Sequence, residues 1–138
     1  MIQELRKNDI KIARCHESGD FYNQIYLNKW IDIWKATPDI KYLAFTKSFH
    51  LDFSEVPQNV AIYNSVDSTT YLKSIHPLEA FPFAKTIDTK KDLPTGYRYC
   101  GPIGKDRNGK KDPTHYHLCG DKCKFCWEKR TNVAWPKH

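Results

Sequence analysis

The 138-residue sequence has no apolar run approaching the ~18 residues of a membrane-spanning helix, so no part of it reads as a span. Its first residues, Met1-Ile2-Gln3-Glu4-Leu5-Arg6-Lys7, lack the apolar stretch of a signal peptide. No P-loop, dinucleotide-binding fingerprint or nucleophile elbow occurs, and each absence removes the enzyme class that depends on that motif. There is no internal repeat and no low-complexity segment, so a repeat architecture is excluded. The chain is also too short for a complete (β/α)₈ barrel, which needs ~200 residues or more.

What remains is enough for one modest domain. Four Trp, eight Tyr and seven Phe give the chain material to pack, which excludes disorder over its whole length. Lys and Arg number 22 against 16 Asp and Glu, a formal net charge of +6. That balance admits an anionic partner such as nucleic acid or a nucleoprotein. The densest basic stretch, Lys105 to Lys111, contains Asn108-Gly109, a strong turn signal, and reads as a solvated loop.

The pattern of elements is α/β. A short strand is predicted over Ile10 to Ala13, followed by the polar turn Cys15-His16-Glu17-Ser18-Gly19-Asp20. A helix is predicted from Asn23 to Thr37, because Leu27, Trp30, Ile31 and Trp34 fall on one face. Asp20 or Asn23 would cap its start, and Pro38 would end it. Strands follow at Ile40 to Phe45 and Val60 to Val66, with a loop or short helix between them. This order predicts a βαβ unit with parallel neighbours. Beyond Asp67 the expectation is loops with one strand, Phe83 to Ile87. Residues 1–96 would form the α/β core, and residues 97–138 a metal-organised segment packed on it as part of one domain.

The cysteines carry the sharpest signal. Cys100, Cys119, Cys123 and Cys126 give the spacing C-x₁₈-C-x₃-C-x₂-C, leaving Cys15 over. Four soft thiolates suit one tetrahedral Zn²⁺, and a two-residue gap lets one tight turn aim two sulfurs at the ion. A hairpin turning at Asn108-Gly109 would bring the remote Cys100 to the others. Such a metal would be structural, tying down a segment too thin to hold itself, and would change the formal charge from +6 to +4. His138 is an alternative fourth ligand, whereas His115 and His117 read as solvated or hydrogen-bonded side chains. Disulfides and unrelated thiols are weaker readings, since a chain without a signal peptide is expected in the cytoplasm, where clustered cysteine more often means metal.

Cys119 to Cys126 also has the C-x₃-C-x₂-C spacing of radical S-adenosylmethionine enzymes, which place a [4Fe–4S] cluster there. Those enzymes carry it early in a barrel, but only 12 residues follow Cys126. An iron–sulfur cluster is therefore the secondary reading. Cys15-His16 beside Glu17 and Asp20 could pose as a thiol nucleophile with a base. Neighbours on an extended segment point to opposite faces, so Cys15 is expected to be a strand-end thiol and Gly19-Asp20 a turn. Trp30 and Trp34 are expected in the core, and Trp127 and Trp135 are expected to cover the metal segment.

Several ordered segments resemble the phage gene-product-88 family. They are Glu17-Ser18-Gly19-Asp20-Phe21-Tyr22, Tyr26-Leu27 with Ala36-Thr37-Pro38, Thr46-Lys47-Ser48, Pro57-Gln58-Asn59-Val60, and Cys119-Gly120 through Cys126-Trp127 to Asn132-Val133-Ala134 and His138. The resemblance runs from about residue 10 to the end of the chain. It implies a phage or prophage origin and a barrel-like core, here a partial barrel. Family members usually carry a further Cys-rich portion ahead of this region, so the chain is expected to be a shortened relative. No settled activity comes with the resemblance.

A short phage-like protein with a structural metal and no catalytic set points to an interaction protein. Anti-CRISPR proteins form such a class, binding a host effector by surface, and some act on Cas9-type effectors. The expectation is a non-catalytic, zinc-stabilised inhibitor of a host defence nucleoprotein in the host cytoplasm. The alternatives are a nucleic-acid-binding zinc module and an iron–sulfur remnant of a radical-S-adenosylmethionine-like enzyme.

Overall fold

In the computed structural model, which describes residues 1–16, 18–67, 78, 80–100 and 123–136, the apolar stripe forms helix α2, Gln24–Ala36. A short helix α1, Ile2–Lys7, which the sequence pattern did not predict, precedes it. Asn23 is the cap of α2: its extended backbone starts the helix, and its side chain accepts from the Tyr26 N–H at 2.8 Å. Leu27, Ile31 and Trp34 are the buried stripe, and each stabilises by about 1.5–3 kcal/mol through burial. Thr37 ends the helix, with its hydroxyl donating to the Ile33 carbonyl at 2.7 Å, and Pro38 follows. The exposed Arg6 of α1 donates to the Ala36 carbonyl at 3.1 Å, satisfying one open acceptor at the end of α2.

Six strands form one sheet: β1 Ile12–Arg14, β2 Lys41–Thr46, β3 Val60–Val66, β4 Phe83–Ile87, β5 Arg98–Tyr99 and β6 Val133–Pro136. Their order is β1-β2-β3-β4-β6-β5, and every neighbouring pair is parallel. The sheet curls into a half-barrel, the partial barrel expected of the chain. β3 and β4 have the bounds read from the sequence. β1 begins two residues later than expected and β2 one residue later.

Both faces of the central strands are covered, as a parallel sheet requires. Tyr42, Ala44, Val60 and Ile62 face α2 in a cluster with Leu27, Ile31, Trp34 and Phe21. The alternate residues Leu43, Ala61 and Tyr63 join Ala84, Val133 and Trp127 on the other face. Trp127 comes from a third short helix, α3, Phe125–Lys129. Its indole N–H reaches the Ala13 carbonyl of β1 at 3.4 Å. Trp127 is thus a core residue of the concave face.

Asparagines close the strand junctions. Asn59 Nδ2 lies within 3.2 Å of the Trp34, Thr37 and Ile40 carbonyls. The fully buried Asn64 donates to the Leu78 and Phe81 carbonyls at 2.8 and 2.9 Å and accepts from the Leu78 N–H at 3.0 Å. Asn132 accepts from the Phe83 N–H at 2.9 Å. Because Asn64→Ala would strand two part-buried carbonyls and one N–H, it is expected to lower stability by about 2–4 kcal/mol in urea unfolding. A loss below about 1 kcal/mol would show that water replaces the side chain there.

Candidate functional site

All six strands run the same way, so their carboxyl ends gather on one rim, where parallel α/β sheets hold ligands. The rim at β1, β2 and β3 is organised by Asp20. Its Oδ1 accepts from the Phe21 N–H at 2.7 Å and from the Thr46 hydroxyl at 2.7 Å. Its Oδ2 accepts from the Lys47 N–H at 2.6 Å. Asp20 therefore joins the loop after β1 to the end of β2 rather than capping α2. Lys47 Nζ in turn meets Asp67 Oδ2 at 2.5 Å, linking β2 to the residue after β3.

Cys15 and His16 follow β1 directly. Cys15 is buried in the cluster under α2, and burial pushes its thiol up to about 11, so it stays protonated near neutrality. It faces Trp34, whose buried indole N–H has no conventional hydrogen-bond partner. The expected strand-end thiol is what the structure shows, and a thiolate nucleophile is not available there. His16 turns the chain with φ +60°, a left-handed backbone that is uncommon outside glycine. Its Nε2 shares a 3.2 Å hydrogen bond with the Tyr26 hydroxyl, while its buried Nδ1 has no partner among the described residues. Phe21, Tyr26 and Trp30 surround the ring, with centroids 4.7, 5.8 and 5.5 Å away. Burial holds the imidazole below its ordinary range, against the smaller opposite pull of Asp20.

Arg14, His16, Ser18, Gly19, Asp20, Phe45, Lys47 and Ser65 line a cleft of about 300 Å³ at this rim. Sequence reasoning singled out His16 and Gly19-Asp20 as chemistry-bearing and met Lys47 only within a resemblance segment; Arg14, Phe45 and Ser65 carried no signal of a site. The signal that finds them is positional: each lies in the last residues of a strand or just after one.

Of the expected ligands, Cys100, Cys123 and Cys126 lie among the described residues. Cys100 follows β5, is exposed, and donates its N–H to the Ala134 carbonyl at 2.7 Å. Cys123 precedes α3 and Cys126 lies in its first turn, both half-buried. Cys126 packs against the concave cluster, and its carbonyl accepts from the Tyr63 hydroxyl at 3.3 Å. Tyr63 is held well above its ordinary range, first by burial and then by Cys126. Among the described residues, no three His, Cys, Asp or Glu side chains gather into a metal-binding group. Cys119, His138, His115, His117, Glu17 and the Lys105 to Lys111 stretch lie outside the described residues.

The fold and its rim define a parallel α/β half-barrel protein with a small polar cleft at the strand ends. The family model for gene product 88 matches residues 1–129, and the chain belongs to this phage protein family. No curated protein and no solved structure matches it. Among the described residues no helix is long and apolar enough to cross a membrane.

Two outcomes test the rim. Asp20→Ala leaves two backbone N–H groups and the Thr46 hydroxyl without their acceptor, and is expected to cost about 3 kcal/mol in chemical denaturation. The lowered His16 value means that the unfolded chain protonates first on acidification. Stability from neutral His16 is complete above about pH 6.5 and falls as the pH drops from there toward the folded value. His16→Asn, which tolerates the left-handed backbone, should flatten that part of the curve in urea midpoints measured between about pH 7.5 and 5.5. An unchanged slope would exclude His16 as its source.

Proposed function

We propose that this phage protein works by binding rather than by catalysis. It is a zinc-stabilised protein that engages and inhibits a host defence nucleoprotein in the host cytoplasm, with a Cas9-type effector as the leading partner. The observation that carries the non-catalytic part is how the strand-end groups are engaged. The Asp20 carboxylate holds three donors, the Lys47 ammonium pairs with Asp67, and the Cys15 thiol is buried and protonated. These groups hold loops together instead of standing ready beside a reacting atom. Phage family membership supports a host target, and the +6 charge supports a partner presenting acidic groups or nucleic acid.

Cys100, Cys119, Cys123 and Cys126 would hold the zinc, with His138 as the alternative ligand. The chemistry of this donor set fits: four thiols match a soft-ligand tetrahedral site. Cys123 and Cys126 are three residues apart across the start of α3, the spacing of a paired-ligand turn. The ion would supply a cross-link between the β5 edge and α3, and no reaction chemistry.

The test mixes the purified protein with a guide-loaded Cas9-type effector. A stoichiometric complex with loss of DNA cleavage, and about one zinc per chain by metal analysis, is the expected result. Cys123→Ser should lose the metal and loosen the tail. Full cleavage with no complex would overturn the partner. A folded, metal-free protein would overturn the zinc. Binding of DNA by the protein alone, weakening steeply with salt, would favour a nucleic-acid-binding module instead. A brown protein absorbing near ~400 nm after anaerobic purification would favour an iron–sulfur cluster.

A further inference from the structure

We propose that the cleft at the carboxyl ends of β1, β2 and β3 binds a small oxyanion, a phosphate or carboxylate group of a metabolite-sized molecule, through the Arg14 guanidinium with help from Lys47. This site is separate from the cysteine segment and stands whether or not a nucleoprotein is the partner. The cleft volume of about 300 Å³ lies at the lower end of the range that small-molecule sites occupy. Its position on a parallel sheet is the one that such ligands use.

Arg14 is the group that sets the ligand chemistry. It ends β1, lies exposed and, among the described residues, makes no ion pair. Its guanidinium carbon sits 5.1 Å from the centre of the Phe45 ring, which itself packs edge-on to Trp135 at 5.5 Å. An aromatic face under a guanidinium restricts its orientation and leaves its N–H edge for two oxygens of one anion. Among the described residues, the two rim carboxylates Asp20 and Asp67 make no ion-pair contact with it. Asp20 is taken by Phe21, Thr46 and Lys47, and Asp67 by the Lys47 ammonium. Lys47 adds a second cation: its side chain is half exposed, and a bound anion would share its ammonium with Asp67.

The loop beside Arg14 is shaped for space rather than for stability. His16 accepts a left-handed backbone and a buried Nδ1 with no partner among the described residues. Strain and an orphaned polar atom of this kind collect at functional loops. Gly19 is also left-handed, at φ +87°, and a Cβ there would meet nothing within 4 Å, so the cleft is open along this loop.

The test titrates the full chain by calorimetry with inorganic phosphate, a nucleoside monophosphate and succinate, at low ionic strength. Saturable binding of at least one is expected, and the three arms separate a bare phosphate subsite, a nucleotide site and a carboxylate site. Arg14→Met, which keeps the stem over Phe45, should weaken it by about tenfold or more with the melting temperature unchanged. Lys47→Gln leaves the backbone bond to Asp20 intact and should weaken binding severalfold, and it decides the matter if Arg14→Met does not fold. No saturable binding by any of the three, or binding unchanged in the folded variants, would overturn the proposal.

Discussion

A sheet of parallel strands must be covered on both faces, and most of this structure answers that demand. β2 and β3 are buried almost end to end, so their side chains are apolar on both sides rather than alternating with polar ones. Helix α2 covers one face with Leu27, Ile31 and Trp34. On the other face Trp127 of α3 packs among Leu43, Ala61, Tyr63, Ala84 and Val133. Truncating a buried Trp costs about 3–5 kcal/mol, so α3 contributes far more than its five residues would as an isolated helix.

The polar groups sort by which end of the strands they occupy. Asn59 and Asn132 precede β3 and β6, and they tie amino-end junctions through backbone carbonyls and an N–H. These contacts are neutral and structural. At the opposite rim the groups are charged: Asp20, Lys47, Asp67 and Arg14. In parallel barrels the loops at the carboxyl ends are free to vary around a rigid sheet, and here those loops carry the charged groups.

Local periodicity and punctuation made α2, β3 and β4 legible. Asn23, the Leu27 to Trp34 stripe and Pro38 mark the helix within a residue at each end. The elements that were missed are those that tertiary pairing imposes. β6 is four residues containing Trp and Pro, with no alternation to read, yet it lies between β4 and β5. β5 is two residues long and α1 buries none of its side chains. At the rim, Asp20 looked like a turn or cap residue, and its partner Thr46 lies 26 positions away. Arg14 and Lys47 were single charges in a basic chain, and only the sheet brings them to one cleft.

The two ends of the chain meet through Trp127. The residue before it, Cys126, takes the Tyr63 hydroxyl on its carbonyl, and Trp127 itself donates to the Ala13 carbonyl. Arg14 is the next residue of β1. The start of α3 and the strand end that carries Arg14 are therefore joined through one indole hydrogen bond. By linkage, an anion that favoured an ordered β1 end through this contact would be favoured in turn by an ordered α3. The indole of Trp127 is thus the contact that joins the described part of the cysteine segment to the strand that carries Arg14.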